Sequence, residues 1–471
     1  MFVKILLFQL KDKAETRQFK YYRQQMNKQI LILGAGRSAY SLIQYLLQNA
    51  KTHNWYITIG DRDIEIVKPQ VQDFPKLAQA VVFDVTDQEQ CDEFINKADL
   101  VISMLPARFH TLVARTCLRL SKSMVTASYV SPELKAMHEE AKEKGILFMN
   151  EIGLDPGIDH LSAAKTIDAL QENGATITAF KSYAGGLVAP EYDNNPWNYK
   201  FTWNPRNVVL AGMGTTQYIQ SHKYKYIPYH RLFTNTHPIT IDGYGEFDGY
   251  PNRDSLKYRD IYEIAGVPTL MRGTLRRKGF CQSWNNLIQL GMTDDFSPMA
   301  DTLTMTYRQF TNTFLEYAPN ITVEKKTAAL LGIPEDGKEM KKLEWLGLFS
   351  NKIIALENAT PAQVLQKILE EKWSLEEGDK DMIVMHNIFE YELKGKHRRL
   401  AASMVVIGDD TQNTAMAKTV GLPLAITTKL ILTGKIDLVG VHRPIWKQVY
   451  IPVLKELKTF GIDFNEEETE I

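Results

Sequence analysis

Short apolar runs recur along the first third of the chain, and a longer segment of mixed polarity separates each run from the next. Each run has the length and content of a buried strand, and the segments between them have helical length. The predicted strands lie at residues 30–33, 55–59, 80–83, 100–104, 124–127 and 147–149, and the first helix covers 38–48. Because strands that alternate with helices form parallel sheets, this pattern predicts an α/β fold with a Rossmann-type, doubly wound parallel sheet.

The pattern changes after about residue 176, where Tyr, Trp, Asn and Gly become frequent. This composition is typical of a sheet with long loops and predicts an α+β substrate domain. From 295 to 378, Leu, Lys, Glu and Met recur at helical spacing, and helix ends are expected near Gly332 and Gly347. That region is therefore predicted to be a mostly helical insertion.

Toward the end of the chain, strands are expected at 381–391 and 399–407, and a helix is expected to finish the fold. The apolar segment 415–432 is rich in small residues and is predicted to be a buried helix that packs onto the first domain. A chain of 471 residues exceeds one core and predicts several domains. The predicted parts are an N-terminal extension (1–25), a dinucleotide-binding domain (26–155, completed by about 410–435), a substrate-binding and dimerisation domain (156–294 and 379–471) and the helical insertion (295–378).

Composition and charge narrow the class of partner. A formal net charge of −1 removes any whole-chain electrostatic argument for nucleic acid or an anionic membrane, so a small molecule is the expected partner. No apolar run is expected to approach the length of a membrane span, which needs about 18 residues. Three widely spaced cysteines predict neither a disulfide framework nor a metal pair, and they fit a reducing cytoplasm.

A glycine-containing turn follows the first predicted strand and opens the first helix. This is the context of a dinucleotide fingerprint, in which the glycines allow a tight turn and close approach to the pyrophosphate. A strand-to-helix turn without a ligand is the alternative interpretation. The predicted cofactor-binding residues of this turn are Gly34, Ala35, Gly36, Arg37, Ser38 and Ala39.

Asp61 and Arg62 end the second strand and bear on the choice of cofactor. A carboxylate there bonds the ribose hydroxyls of NAD and repels the 2′-phosphate of NADP, which favours NAD. Arg62 favours NADP, unless it is only a solvated surface charge, so NADP stays the alternative. By topology alone, Asp84 and Val85 are expected beside the adenine and Leu105 beside the nicotinamide ribose.

The segment NEIGLDPGIDH, residues 150–160, carries three carboxylates, a histidine, two glycines and a proline. It follows an apolar strand and precedes a helical pattern, so it lies at a strand's carboxyl end, where ligands bind in open α/β sheets. The alternative is a tight turn before a capped helix, with Asp155 or Asp159 as the cap and Pro156 in the first turn. No HExxH motif or Cys/His cluster predicts a metal site, and the dispersed His110, His138 and His160 are interpreted as structural.

Arginines in Gly- and Asn-containing segments of the second half are candidates for binding a carboxylated substrate, because arginine holds a carboxylate through two hydrogen bonds. Surface ion pairs are the alternative for each arginine taken alone, and a position in a turn favours Arg253. The candidates are Arg253, Arg272, Arg276 and Arg277.

The chain resembles the saccharopine reductase family, the glutamate-forming saccharopine dehydrogenases. The motifs run in family order: GAGRSA, DVTD, DLVISMLP, VTASYVSPEL, NEIGLDPGIDHL, SYAGGLVAPE, YKFTW, YPNRDS, RGTLR and AMAKTVGLPLAI. The resemblance implies NAD(P)-dependent oxidation of saccharopine, an amino-dicarboxylate of the opine type, to L-glutamate and 2-aminoadipate 6-semialdehyde in lysine metabolism. It also implies a homodimer.

The resemblance also implies roles for residues. Asp155, Pro156 and Gly157 match positions where cofactor and substrate meet; Asp155 and Tyr129 are the expected catalytic residues. The matched substrate-binding positions are Ala107, Arg108, Ser128, Tyr129, Asn204, Arg253, Gly273, Thr274 and Leu275.

Two departures from the family pattern bear on the substrate. Ala107 and Arg108 replace a Tyr-Thr pair, and Ala184 replaces a cysteine in SYCGG. Another carboxylated amine, of the carboxynorspermidine type, is therefore an alternative substrate. A nucleotide-binding protein that has lost catalysis is a further alternative.

Overall fold

The predicted alternation of strands and helices forms a seven-stranded parallel sheet in a computed structural model of the chain, which describes residues 28–471. Its strands are β1 (Lys28–Leu33), β2 (Trp55–Asp61), β3 (Ala78–Val82), β4 (Leu100–Ser103), β5 (Ser123–Thr126), β6 (Leu147–Met149) and β15 (Gly440–His442). They lie in the order β15-β6-β5-β4-β1-β2-β3, so β1 to β6 have the doubly wound order 3-2-1-4-5-6. The predicted fold class is confirmed. The predicted extension, 1–25, lies outside the described residues.

Helices separate these strands, as the doubly wound order requires. The first helix begins with a 3₁₀ turn, Arg37–Ala39, before Tyr40–His53. The other helices of this part are Lys68–Val71, Gln88–Asn96, His110–Arg119, Pro132–Ala136, His138–Glu143, Ile158–Glu172, Ala415–Leu432 and Lys447–Leu457, with 3₁₀ turns at Ile64–Ile66, Ala107–Phe109 and Lys458–Phe460.

The helix Ala415–Leu432 is long and apolar enough to cross a membrane by length and composition, with a mean hydropathy of 1.3, so the expectation that no such run exists is wrong. Nevertheless, 72% of its residues are buried inside the structure. A Cβ added to Gly421 would lie 2.7 Å from the backbone nitrogen of Leu42, which shows how closely it packs on the helix Tyr40–His53. Its apolar character is therefore accounted for by packing within the protein.

The rest of the chain forms a second sheet of nine strands in the order β10-β11-β12-β7-β13-β14-β16, and β8 pairs with β12 and β9. All pairs are antiparallel except β12 with β7. The strands are β7 (Thr176–Val188), β8 (Thr215–Gln220), β9 (Lys223–Pro228), β10 (His237–Ile241), β11 (Gly245–Pro251), β12 (Thr269–Arg277), β13 (Asp381–Leu393), β14 (Lys396–Ile407) and β16 (Asn465–Glu470). This mixed sheet is the predicted α+β region.

The region 295–378 is helical, as predicted. Gly332 and Gly347 end two helices in the left-handed conformation, with φ of 64° and 86°. Its helices share an aromatic core with the preceding part of this unit, which includes the fully buried Trp197, Trp284 and Trp373. The helices here and before it are Pro205–Val209, Tyr229–Leu232, Tyr258–Ile261, Phe280–Gln289, Tyr307–Thr313, Val323–Leu331, Lys338–Leu346 and Pro361–Trp373, with a 3₁₀ turn at Pro190–Tyr192.

By its internal contacts the chain divides into two units. One ends at Ala169 and includes Gln412–Asp463, and the other holds Leu170–Thr411 and Phe464–Ile471. Residues 156–169 and 436–463, which the sequence predicts as part of the substrate domain, lie in the first unit by this division. Residues 436–463 group with the first unit because they contain β15, which extends the parallel sheet beside β6.

The expectation that a helix ends the chain is wrong, because the last element is β16, which pairs with β14. All six β16 residues are exposed, so no apolar pattern marks them as a strand. Cross-strand ion pairs, Arg398 with Glu468 and Lys396 with Glu470, accompany the backbone pairing.

Candidate functional site

The glycine turn lies at the carboxyl ends of β1 and β4, the point where the strand order reverses. Gly34 has φ of 95°, and a Cβ there would lie 3.0 Å from the Met104 carbonyl. Gly36, by contrast, is exposed and faces open space. No side chain caps the 3₁₀ turn that follows Gly36. Close packing at Gly34 and a 3₁₀ turn without a side-chain cap after the open Gly36 fit a dinucleotide pyrophosphate.

Asp61, the last residue of β2, points its carboxylate at this turn. Its Oδ2 accepts a hydrogen bond from Ala35 N at 2.8 Å, and its Oδ1 accepts one from Asp63 N at 3.0 Å. These bonds hold a negative charge beside the glycine turn. The position matches that of the carboxylate that recognises ribose hydroxyls in doubly wound domains.

The other predicted cofactor residues follow β2, β3 and β4 or lie in the first 3₁₀ turn. Asp84 follows β3, and two hydrogen bonds from Thr86 hold the pKa of its carboxyl below the usual range. Val85 is buried, Leu105 is half-buried after β4, and Arg62 is exposed. The exposed Arg37 begins the 3₁₀ turn. Asp84 thus caps its own turn.

Residues 150–160, here called the DPG segment, turn tightly and lead into the helix Ile158–Glu172. Gly153 N donates to Pro156 O at 2.9 Å, and a Cβ on Gly157 would lie only 1.9 Å from Gly153 O. Within 151–160, Asp155 alone is not fully buried. Asp159 accepts a hydrogen bond from Gly157 N at 2.5 Å and so stabilises the helix start. Asp159 therefore lies in the first turn of the helix and stabilises its start, whereas Pro156 precedes the helix and Asp155 is partly exposed. A role of Asp155 in binding or catalysis stays a prediction.

The residues Ser128, Tyr129 and Val130, here called the β5 loop, lie beside this segment. A Cβ on Gly153 would lie 2.8 Å from the Cβ of Ala127. Glu151 N donates to Ser128 O at 3.1 Å. Ser128 and Tyr129 are both half-buried. The structure thus brings the predicted residues of the β5 loop and the DPG segment together within one unit.

A buried histidine contacts the β5 loop from one side. His110 Nδ1 lies 2.8 Å from Ser103 Oγ, and His110 Nε2 lies 2.6 Å from Ser128 Oγ. His110 is 3% exposed, and burial lowers its pKa to about 4. At neutral pH the imidazole is therefore uncharged and bridges two hydroxyl groups.

A charged network contacts the same loop from the other side. Glu151 accepts hydrogen bonds from Val130 N at 2.9 Å, Arg443 Nε at 2.8 Å and His160 Nε2, which lies 2.8 Å away. Burial opposes ionisation of Glu151, but His160, Arg443 and Val130 N together lower its pKa to about 2. Glu151 therefore connects the β5 loop, the helix Ile158–Glu172 and the segment after β15.

The candidate arginines all lie in the second unit. Arg253 is exposed in a turn with φ of 49°, and Arg272 is buried over the ring of Tyr258 at 4.1 Å. Arg276 is 4% exposed; it donates to Leu275 O, and its Nε has no hydrogen-bond partner. Among residues 28–471, no carboxylate forms an ion pair with Arg276. Arg277 lies 3.9 Å from Asp193.

The other predicted substrate residues differ in their exposure and in whether they already have a structural role. In β12, Thr274 is partly exposed, whereas Leu275 is buried and a Cβ on Gly273 would lie 2.6 Å from Tyr183. Gly273 is thus required by packing against Tyr183. Asn204 uses its side chain to cap the helix Pro205–Val209, accepting from Asn207 N at 3.3 Å.

Ala107 and Arg108 are exposed in the 3₁₀ turn Ala107–Phe109. Arg108 lies over the ring of Phe109 at 4.7 Å and makes no ion pair with a described residue. Its guanidinium is accessible to a carboxylate. Within the described chain, no group of three or more His, Cys, Asp or Glu side chains could hold a metal ion.

Sequence reasoning missed His110, Glu151 and Arg443 as parts of this site, whereas the segment that contains Ser103 was expected beside the cofactor. The serine and histidine stand seven positions apart across a strand-to-helix turn, which was the available signal for His110. No local signal existed for Arg443, which lies 292 residues from Glu151. The three cysteines are buried free thiols and take no part in it.

Comparisons with known proteins match nearly the whole chain. A family model described as the saccharopine dehydrogenase NADP binding domain matches residues 30–149, and one described as the saccharopine dehydrogenase C-terminal domain matches residues 153–462. The chain is 34% identical over 471 residues to the mitochondrial alpha-aminoadipic semialdehyde synthase of Rattus norvegicus. This match covers 98% of the chain but 50% of that protein, so the chain spans about half the length of this relative.

Two further matches cover nearly the full length of both compared chains. Saccharopine dehydrogenase (NADP(+), L-glutamate-forming) of Saccharomyces cerevisiae is 35% identical over 451 residues, which are 94% of this chain and 99% of that protein. The solved apo structure of histidine-tagged saccharopine dehydrogenase (L-Glu forming) from Saccharomyces cerevisiae has a TM-score of 0.85 and 32% identity. It covers 94% of this chain and 100% of that one. The resemblance inferred from the motifs is confirmed, and the chain belongs to the saccharopine dehydrogenase family.

Proposed function

We propose that this protein is a nicotinamide-dinucleotide-dependent oxidoreductase that converts saccharopine to L-glutamate and 2-aminoadipate 6-semialdehyde, or catalyses the reverse reaction, in lysine metabolism. The observation that carries the proposal is the glycine turn at the switch point of the sheet, open at Gly36, in a chain that covers 99% of a yeast protein with this activity in its name. The homodimer stays a prediction.

The proposed reaction begins at the secondary amine of saccharopine. When bound, the nicotinamide accepts a hydride from the substrate carbon that carries this amine. Water then adds to the resulting substrate imine, and cleavage of its C–N bond releases glutamate and the semialdehyde. Asp155, the accessible carboxylate of the DPG segment, is proposed to hold the reacting amine or the water. Tyr129 is the proposed hydrogen-bond or proton partner beside it.

The second unit supports a substrate with several carboxylates. A buried guanidinium without an anionic partner costs free energy, and Arg276 is in that situation. Arg253, exposed in its turn, and the partly exposed Thr274 offer further polar contacts. Replacing Arg253 with glutamine is expected to raise KM for saccharopine about tenfold, whereas Arg231→Gln, at another exposed arginine, is expected to leave KM unchanged. An unchanged KM in R253Q would remove Arg253 from the site.

NAD is proposed as the preferred dinucleotide, although the matched yeast relative is named for NADP(+). The Asp61 carboxylate is held beside the glycine turn, where it would repel a 2′-phosphate. Asp61→Ser is expected to shift the NAD-to-NADP ratio of kcat/KM toward NADP by about tenfold or more. Glu65→Gln removes an exposed carboxylate nearby and serves as the control. Preference for NADP in the unmodified protein would contradict the assignment.

A second candidate function keeps the chemistry and changes the substrate to another carboxylated amine, of the carboxynorspermidine type. The unpaired, exposed Arg108 favours it, because this guanidinium could bind a differently placed carboxylate. Steady-state rates with saccharopine and with other opines distinguish the two. Negligible oxidation of saccharopine with rapid oxidation of another opine would favour the second candidate.

The decisive experiment follows the reduction of NAD and NADP by saccharopine in parallel, by absorbance. Asp155→Asn is the matched variant, because it removes the charge and keeps the shape. We expect it to lower kcat about a hundredfold or more while the Kd for the dinucleotide stays within about twofold. Full turnover in this variant would exclude Asp155 from the mechanism. Dinucleotide binding without hydride transfer from any amine would identify a non-catalytic protein.

A further inference from the structure

We propose that His110 is a positioning residue that holds the Ser128 hydroxyl in one orientation, and that Ser103 determines which imidazole nitrogen carries the proton. The inference deepens the proposed function, because it assumes that Ser128 contacts the substrate. It assigns a role to a histidine that the sequence pattern marked only as structural.

The three residues come from neighbouring elements of the parallel sheet. Ser103 ends β4, His110 begins the helix His110–Arg119, and Ser128 follows β5, the strand beside β4. The imidazole spans the gap between the two strand ends, with 2.8 Å to Ser103 Oγ and 2.6 Å to Ser128 Oγ. Both ring nitrogens are thereby used.

The donors and acceptors select one tautomer. Ser103 is fully buried, and among residues 28–471 its hydroxyl has no hydrogen-bond partner other than His110 Nδ1. A buried hydroxyl that accepted from Nδ1 would leave its own proton unsatisfied, which is costly. Ser103 therefore donates to Nδ1, and the ring proton resides on Nε2, which donates to Ser128 Oγ.

The imidazole keeps this role only while it is neutral. Burial lowers the pKa of His110 to about 4, and its place in the first turn of a helix also disfavours positive charge. Across the neutral range the ring therefore has one donor and one acceptor. Protonation would turn Nδ1 into a donor, and it would break the bond that Ser103 donates.

Hydrogen bonds already fix the backbone of Ser128, so the contribution of His110 is to fix the rotation of the Ser128 hydroxyl. Ser128 N donates to Thr126 Oγ1 at 3.2 Å, and Ser128 O accepts from Glu151 N at 3.1 Å. With its oxygen accepting from Nε2, the hydroxyl proton of Ser128 is directed away from the ring. It is then available to donate to a carboxylate or carbonyl oxygen of a bound substrate.

Two amide variants distinguish the contact of His110 with Ser128 from its contact with Ser103. Gln at 110 places its amide nitrogen near the position of Nε2 and keeps a donor to Ser128, whereas Asn reaches only the position of Nδ1 and Ser103. We expect H110N to lower kcat/KM for saccharopine about tenfold and H110Q by about threefold or less, because one oriented hydrogen bond separates them. The Kd for the dinucleotide is expected to stay within about twofold in both. An equal or reversed order of H110N and H110Q overturns the proposal.

A double-mutant cycle tests whether His110 acts through Ser128. In an S128A background, H110N is expected to change kcat/KM by less than about twofold, because the hydroxyl it orients is absent. If the losses of H110N and S128A multiply instead, His110 acts independently of Ser128 and the proposal fails.

Ring-nitrogen NMR tests the same arrangement without turnover, so a failure of the proposed function does not obscure it. In protein labelled with ¹⁵N-histidine, the His110 signals are those lost in H110Q. We expect a single Nε2-protonated tautomer that does not titrate near the ordinary pKa of 6.5, and a mixture of both tautomers in S103A. Protonation at Nδ1, ordinary titration or an unchanged tautomer in S103A would each overturn the proposal.

Discussion

Two buried histidines in the first unit lie beside the β5 loop, and they interact with different kinds of partner. His110 bridges two hydroxyl groups and is neutral, while His160 lies 2.8 Å from the Glu151 carboxylate, which also binds Arg443. A neutral bridge contributes little free energy and mainly sets a direction. A buried charged network is costly to break, because it leaves uncompensated charge. We therefore expect His110 variants to alter function and Glu151 network variants to alter stability.

The largest expected effect is that of Glu151→Gln. The carboxylate is 1% exposed and has three partners, so its replacement leaves Arg443 without its anion and His160 without its charged partner. We expect the free energy of unfolding to fall by about 4 kcal/mol, measured by urea denaturation. Glu143→Gln, at an exposed glutamate, is the control and should change little. Equal stability of E151Q and E143Q would mean that the network does not stabilise the fold.

Lowering the pH should remove the stabilisation of the fold by the Glu151 carboxylate without a mutation. Because the pKa of Glu151 falls from 4.5 to about 2 on folding, the carboxylate stabilises the fold above pH 4.5, and this contribution is lost as the pH falls toward 2. The shift corresponds to about 3 kcal/mol. The difference in unfolding free energy between the unmodified protein and E151Q should narrow over this range. A constant difference would show that Glu151 is not the group responsible.

A direct comparison of the two histidines should give a smaller effect. His160→Asn removes the ring that contacts a buried carboxylate, and His110→Asn removes a ring that contacts only hydroxyls at its nitrogens. We expect the free energy of unfolding to fall by about 2 kcal/mol in H160N and about 1 kcal/mol in H110N. Thermal denaturation of the two variants side by side measures the difference. A greater loss in H110N would show that the contacts of His110 stabilise the fold more than those of His160.

The smallest expected effect is that of Ser103→Ala. This change removes the partner of His110 Nδ1 and leaves the contact with Ser128 in place. We expect a loss of about 1 kcal/mol or less in unfolding free energy and a decrease of about threefold or less in kcat/KM. A loss as large as that of E151Q would show that the neutral bridge, too, stabilises the fold.

Much of the parallel sheet could be predicted from the sequence. The run 147–149 coincides with β6, and the other predicted strands differ from β1 to β5 by a few residues at their ends. Gly332 and Gly347 end helices as expected, because a left-handed residue after a helix is a local requirement. These signals are local in sequence, so they need no knowledge of the rest of the fold.

Other elements gave no such signal. Strand β16 is exposed on every residue, and its partner β14 supplies the pairing and the cations. Strand β15 spans three residues and joins the parallel sheet only because β6 offers a free edge. By internal contacts, residues 436–463 therefore group with the parallel sheet, whereas the predicted limits place them with the substrate domain.

The sequence by itself determined the class of fold, the glycine turn with Asp61 and the family, because each rests on residue types at short, regular spacing. Only the tertiary structure decided that Asp159 accepts a hydrogen bond from Gly157 N and that Asp155 is less buried than its neighbours. It also decided the partners of His110 and Glu151, which come from adjacent strands and from a residue 292 positions away. Hydrogen bonds depend on distances of about 3 Å between atoms, and packing of the whole unit sets those distances.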